Sequence, residues 1–319
     1  MIYDKSTETV VGNLGWVDRG SLWTFSAQSN AESRIEIEGA QYLGLRAGHG
    51  GLFRLVHHQS PDCAVTIRHS ANPGIELAGI RFDRETARFS GDVALWDQVD
   101  PSVIIQTDTG PRLILIDAKR GTTKPLDLSW FNDANYDLGY QGLVDCLTIP
   151  GPRVVVVAVQ RSSELVLIDI EANARAGSIM LAGRGGNPTL VPLSASEFVA
   201  TDYDTLCVVD AKTGASRHSA PLQSASGPNT QQFIGHFDIA GTACAVARPF
   251  SGDVALVDLR TLEIMGTAPA SGQPLAICLL SGSRFLTRDW KTGKPSVGSL
   301  PKQDARRQGF WRHLWRNQP

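Results

Sequence analysis

Leu206-Cys207-Val208-Val209-Asp210-Ala211-Lys212-Thr213-Gly214 decides the fold of this chain, because the chain keeps rewriting it. It returns as Leu113-Ile114-Leu115-Ile116-Asp117-Ala118-Lys119-Arg120-Gly121, as Leu165-Val166-Leu167-Ile168-Asp169 and as Val254-Ala255-Leu256-Val257-Asp258. Each copy is a short apolar run, an Asp and a few turn residues. A run without polar alternation suits a strand buried on both faces. The Asp side chain can accept hydrogen bonds from the backbone just after it, and Gly supplies the positive φ that the reversal needs.

The four aspartates stand 52, 41 and 48 residues apart. Between copies lie two further apolar segments, and after each Asp turn comes one more short extended piece. Four strands per unit at this period is the pattern of a β-propeller blade. The expected fold is therefore all-β: seven blades of four antiparallel strands, filling residues 1–300. Units are expected at 92–128, 142–181, 188–222 and 233–268. A looser one lies at 41–78 and a poor one at about 13–39. Ser281-Gly282-Ser283-Arg284-Phe285-Leu286-Thr287-Arg288-Asp289 matches Ser194-Ala195-Ser196-Glu197-Phe198-Val199-Ala200-Thr201-Asp202, the second strand of its unit. The last blade then lacks outer strands, and residues 1–11 are expected to complete it, so that both termini close the ring.

Composition describes a soluble globule: 319 residues, 42% apolar, 19% charged and a formal net charge of −2. That balance gives no reason to expect nucleic-acid binding, which calls for a basic face. Five scattered cysteines without a CxxC pair read as reduced thiols packed as small hydrophobes, which suits the cytoplasm. No basic-then-apolar leader and no apolar run near 18 residues is visible, so neither a secretion signal nor a transmembrane segment is expected.

The repeated unit of apolar strand, Asp and Lys212-Thr213-Gly214-type turn resembles that of the seven-bladed YVTN or quinoprotein-amine-dehydrogenase-like propellers. Asp117, Asp169, Asp210 and Asp258 carry the resemblance. Regular Gly-His and Trp-Asp pairs, the mark of WD40 repeats, are missing, and Trp96-Asp97 is the sole Trp-Asp dipeptide. The resemblance implies a fold shared by lactonases, subunits of cofactor enzymes and binding scaffolds, and so implies no single activity.

Antiparallel blades place the inter-blade connections and the turns between second and third strands on one face, and the Asp turns on the other. The expected connections 80–91, 129–141, 182–187 and 223–232 are uneven and long, which marks their face as the functional one. Candidate ligand or partner contacts there are Arg81, Arg84, Trp130, Asn132, Asp133, Asn135, Tyr136, Arg184, Tyr203 and His58. Arg184 belongs to a Gly-rich stretch, Gly183 to Asn187, that resembles an anion-binding nest.

The leading expectation is a binding or assembly scaffold for a protein or peptide, with a small polar ligand as a further class. The alternative is a lactonase-like hydrolase in which His236, Asp145, Arg161 and Arg248 polarise an ester and position water at the channel mouth. No hydrolase elbow, phosphate loop or His-Glu-x-x-His motif supports it. No cofactor is expected and no metal ligand is assigned. Asp92, Asp145 and Asp238, in or beside innermost strands, leave room for a divalent ion in the channel. Adjacent His57 and His58 would point to opposite sides of a strand, so their spacing does not suit joint ligation.

Residues 301–319 form a basic tail. At helical spacing Phe310, Trp311, Leu314 and Trp315 share one face, which predicts a short C-terminal helix that docks on the propeller or on a partner.

Overall fold

The computed structural model describes residues 1–14, 18, 21–37, 40–47, 52–59, 62–69, 71–83, 102–107, 110–117, 122–128, 143–149, 151–159, 162–182, 186, 188–222 and 233–300. Of these, it describes the backbone alone at 40–47, 52–59, 62–65, 67, 78–83, 102–107, 110–117, 122–125 and 143–144. Among the described residues the secondary structure is mostly strand and turn, and the helical residue Asp18 donates its N–H to Leu14 O at 2.9 Å. No described helix is long and apolar enough to cross a membrane.

The described strands form seven antiparallel sheets. Sheet 1 is β1 (Ile2–Asp4), β2 (Thr9–Gly12), β3 (Ser21–Ser26) and β4 (Glu32–Glu36). Sheet 2 is β5 (Ala40–Ala47), β6 (Leu52–Gln59), β7 (Asp62–His69) and β8 (Asn72–Asp83). Sheet 3 shows three strands: β9 (Ser102–Thr107), β10 (Gly110–Asp117) and β11 (Thr122–Leu126). Its expected first strand, beginning at Asp92, lies outside the described residues.

Sheet 4 is β12 (Leu143–Ile149), β13 (Val154–Val159), β14 (Glu164–Asp169) and β15 (Ala174–Met180). Sheet 5 is β16 (Leu190–Pro192), β17 (Glu197–Asp202), β18 (Thr205–Asp210) and β19 (Ser216–His218). Sheet 6 is β20 (Phe237–Ala240), β21 (Ala243–Arg248), β22 (Asp253–Asp258) and β23 (Ile264–Pro269). Sheet 7 is β24 (Pro274–Leu280), β25 (Arg284–Asp289) and β26 (Pro295–Ser299). The units expected at 142–181, 188–222 and 233–268 are each one four-stranded sheet.

The continuous apolar runs have a direct cause in packing. Phe198 and Ala200 of β17 face sheet 4, among Leu147, Val156 and Leu165, while Val199 between them faces sheet 6 with Cys244 and Val246. In β24, Ile277 and Leu279 join Ala245 and Leu256 of sheet 6, whereas Cys278 and Leu280 join Val10, Trp23 and Phe25 of sheet 1. Each central strand is sandwiched between neighbouring sheets, so both of its faces must be apolar. Each such Val, Leu or Phe contributes roughly 1.5–3 kcal/mol by burial.

The turns follow the expected chemistry. Asp210 Oδ1 accepts from the N–H groups of Lys212 (2.8 Å) and Thr213 (3.3 Å), and Gly214 N–H returns to Asp210 O at φ +73°. Asp169 repeats the pattern with Glu171 and Ala172 N–H at 2.7 Å. In the last sheet Asp289 holds Lys291 and Thr292 N–H at 3.0 and 2.7 Å.

One expectation is overturned. Residues 1–11 do not complete the last sheet: β2 pairs with β3, with Val10 opposite Phe25 and Thr9 opposite Ser26, so the N-terminal strands open sheet 1. The cause is a hidden copy of the repeated turn. Ser26-Ala27-Gln28-Ser29-Asn30 folds as the Asp turns do, with Asn30 N–H to Ser26 O at 2.9 Å and Asn30 at φ +56°. Ser stands in the place of Asp and Asn in the place of Gly, which hid the unit in the sequence.

The first and last sheets meet by side chains instead. Arg288 donates to both carboxylate oxygens of Asp18 at 2.6 and 2.9 Å, donates to Gly293 O at 2.9 Å and stacks 4.3 Å over the Trp23 ring. Arg288 and Asp18 are 1% and 2% exposed, so this is a buried ion pair with its hydrogen bonds made. Tyr3 Oη donates to Ser281 Oγ at 3.1 Å across the same junction. The tail and its predicted helix (Phe310, Trp311, Leu314, Trp315) lie outside the described residues.

Candidate functional site

Two of the catalytic candidates turn out to carry the architecture. Asp145, 1% exposed in β12, accepts from Cys146 N–H (2.9 Å) and from Leu190 N–H of sheet 5 (2.8 Å). Asp238 repeats this between sheets 6 and 7, accepting from Ile239 N–H (2.9 Å) and Leu279 N–H (2.7 Å). Each carboxylate thus ties the inner edge of one sheet to the next. Burial pushes the Asp238 carboxyl above its usual range against these hydrogen bonds. Arg248, 8% exposed, forks onto both carboxylate oxygens of Asp253 and donates to Leu222 O at 2.6 Å, so it clamps a turn and a connection.

His236 is exposed; its backbone N–H donates to Leu275 O at 2.7 Å, bridging sheets 6 and 7. Arg161 lies outside the described residues. Asp145 and Arg248 are thus both engaged by neighbouring protein groups, Asp145 by two backbone N–H groups and Arg248 by Asp253 and Leu222 O. Among the described residues no three His, Cys, Asp or Glu side chains gather as metal ligands would.

Cys207, His218 and Ser216 form a row across β18 and β19. Cys207 Sγ lies 3.0 Å from His218 Nδ1, and Ser216 Oγ lies 2.9 Å from His218 Nε2. The connectivity resembles a nucleophile and its base, but burial, with the charge of Asp202, pushes the Cys207 thiol up to about 12. A thiol held protonated inside a core is a packing residue. Cys244 and Cys278 are pushed well up by burial in the same way. All four described cysteine side chains are free thiols and buried.

Of the loop candidates, Tyr203 sits half-buried in the turn between β17 and β18 at φ +60°, and its carbonyl accepts Ile234 N–H at 2.9 Å. Gly186 packs on it so closely that a Cβ would fall 3.0 Å from Tyr203 N. That glycine of the expected nest serves close packing. Arg81 lies within β8 and not in a loop; His58 is the penultimate residue of β6. Arg84, Trp130, Asn132, Asp133, Asn135, Tyr136 and Arg184 lie outside the described residues.

On the face chosen from sequence, the structure assembles a group that the sequence did not suggest. Phe233 precedes β20, Phe250 lies in the turn between β21 and β22, and Trp290 lies in the turn between β25 and β26. All three positions belong to the face of the inter-sheet connections. The rings meet edge to face: Phe233 to Phe250 at 5.2 Å, Phe233 to Trp290 at 5.4 Å and Phe250 to Trp290 at 6.2 Å. Phe250 is 37% exposed, and the other two are half-buried. His236, three residues after Phe233, and Lys291, next to Trp290, are both exposed. Gln273, whose carbonyl accepts Trp290 N–H at 2.8 Å, has a buried Oε1 with no hydrogen-bond partner among the described residues. Reading turns for aromatic residues, as well as measuring loop length, would have found Phe250 and Trp290.

No family model matches the chain, and no curated protein matches it. Solved structures do. The β-propeller domain of Cps50 (Swd1) from Myceliophteria thermophila is similar with a TM-score of 0.66 at 12% identity, over 94% of this chain and 95% of that one. U3-55K matches with a TM-score of 0.66 at 11% identity, over 94% of each chain. The WD40 repeats of RRP9 match at 0.65 and 12%, over 94% and 93%. Likeness across nearly the whole length at such low identity establishes the architecture, so this chain has the fold of a β-propeller.

Proposed function

We propose that the protein is a binding or assembly scaffold that captures a protein or peptide through the aromatic group Phe233, Phe250 and Trp290. The observation that carries this reading is an exposed aromatic ring, supported edge to face by two others on a rigid frame. Aromatic anchors ringed by polar groups are what tight interfaces use, because they supply large contact area at low conformational cost. The exposed His236 and Lys291, close in sequence to Phe233 and Trp290, supply polar groups at the margin of the aromatic group. We read the seven sheets as blades of one ring of the YVTN-like kind acting in the cytoplasm; the packing of sheet 7 on sheet 1 supports the ring.

The test compares the wild-type protein with Phe250→Ser and with Lys212→Ser on the opposite face. Each is immobilised, and the proteins retained from an extract are identified. Loss of one specific retained protein with Phe250→Ser alone, at unchanged melting temperature, is the expected result. Retention unaffected by Phe250→Ser, or turnover of a lactone by the purified protein, would overturn the reading.

A further inference from the structure

The turn that carries Trp290 is a copy of one on the opposite rim. Asp289-Trp290-Lys291-Thr292-Gly293 matches Asp210-Ala211-Lys212-Thr213-Gly214 at every position but the second. The backbone agrees: Gly293 N–H returns to Asp289 O at 2.9 Å with φ +68°, as Gly214 N–H returns to Asp210 O at 2.8 Å. The Asp210 turn joins the third and fourth strands of sheet 5. The Asp289 turn joins the second and third strands of sheet 7, because β24 adjoins β20 and β1 and is innermost. One copy therefore stands on the rim of Asp turns and the other on the rim of Phe250. Ala211 is 5% exposed in the core between sheets 4 and 5, so a methyl group satisfies this turn. The indole of Trp290 is surplus to the turn, and it meets Phe233 and Phe250 instead.

Charge at this end of sheets 6 and 7 is one-sided. The carboxylates among its described residues are Asp253 and Asp289. Arg248 forks onto Asp253. Asp289 Oδ1 accepts Lys291 N–H, Thr292 N–H and the Thr292 hydroxyl, and its Oδ2 accepts Gln273 N–H at 2.7 Å. Lys291 and Lys294, both in the turn of Trp290, are exposed, and neither makes an ion pair among the described residues. We propose that the partner held at this rim is an acidic peptide segment. An apolar side chain of the segment rests on Phe250, and flanking Asp or Glu carboxylates meet the ammonium groups of Lys291 and Lys294. This rests on the docking role of Phe250 given above. Apolar anchors fix such a contact, while opposite charges at its margin select and steer the partner. A single-stranded nucleic acid fits less well. Base stacking calls for ring faces in series, and these rings stand at 75°, 76° and 89° to one another.

Fluorescence anisotropy with labelled short peptides tests it. Each peptide carries one leucine or tryptophan between acidic, neutral or basic flanks, and a uridine oligonucleotide is the nucleic-acid probe. The acidic-flanked peptides are expected to bind best and to weaken as salt is raised. Lys291→Glu combined with Lys294→Glu should lower their affinity by about tenfold. Lys212→Glu, at the same place in the copied turn on the other rim, should leave it unchanged. These changes spare the backbone hydrogen bonds of both turns, so melting temperatures stay with wild type. Phe250→Ser separates this inference from the docking role it rests on. Neutral or basic peptides that need Phe250 but ignore the lysine reversals would keep the docking surface and overturn the acidic partner. Acidic peptides that bind Phe250→Ser as tightly as wild type would overturn both. Preference for the oligonucleotide, or no preference for acidic flanks, including no binding at all, also overturns the proposal.

Discussion

Asp145 shows how one residue type can be read as chemistry or as architecture. Its place in an innermost strand suggested a channel carboxylate. Its two oxygens in fact receive Cys146 and Leu190 N–H groups, the second from the next sheet. Replacing it by Ala leaves a buried Leu190 N–H without this acceptor, at a cost of about 1–3 kcal/mol. Urea unfolding of Asp145→Ala should show that loss, whereas a purely catalytic role would leave stability unchanged. Asp289 gives the matching pH prediction. Burial works to raise its carboxyl, but hydrogen bonds from Gln273, Thr292 and Lys291 outweigh it and hold the group below the usual range. A folded value below the unfolded one contributes stability above the unfolded value, near pH 4, and loses it as pH falls through the folded value. Asp289→Asn keeps an acceptor but does not titrate. Its melting temperature should therefore fall less steeply than wild type below about pH 4.

At the scale of elements, the junction of sheets 1 and 7 is made by Asp18 and Arg288 rather than by a shared strand. Removing one partner of a buried pair strands the other charge, so Arg288→Met should cost about 3–5 kcal/mol. Adding Asp18→Leu should restore part of that loss, and a double-mutant cycle from denaturation curves gives the coupling. Sequence reading placed the strands from 142 to 268 well, because buried strands and Asx turns are local signals. It misjudged residues 13–39 because Ser26 and Asn30 do the work of Asp and Gly. Pairing partners 270 residues apart, such as Asp18 and Arg288, leave no periodic trace.

For the whole molecule, the order of layers explains the composition. Sheets 4, 5, 6, 7 and 1 pack face to face in sequence, so apolar residues are needed on both sides of each central strand. The described fourth strands are mostly exposed and mix polar residues with exposed apolar ones such as Ile75, Leu77, Met180 and Ile264. The rim facing the inter-sheet connections carries Phe233, Phe250 and Trp290. Their convergence draws on the connection before β20 and on turns of sheets 6 and 7, which no one segment contains. Sequence reading nominated the long connections of this rim, and of the three rings only Phe233 lies in one of them, while Phe250 and Trp290 lie in short turns.

The sequence by itself determined the repeated strand-and-turn unit, its all-β class and the two unequal rims, because φ/ψ preferences and two-sided burial act over a few residues. Only the tertiary structure decided which sheet takes residues 1–11, how the first and last sheets meet, and which rings gather on the rim. Those outcomes follow from competition between distant strand edges and side chains, and that competition is settled only when all the layers pack together.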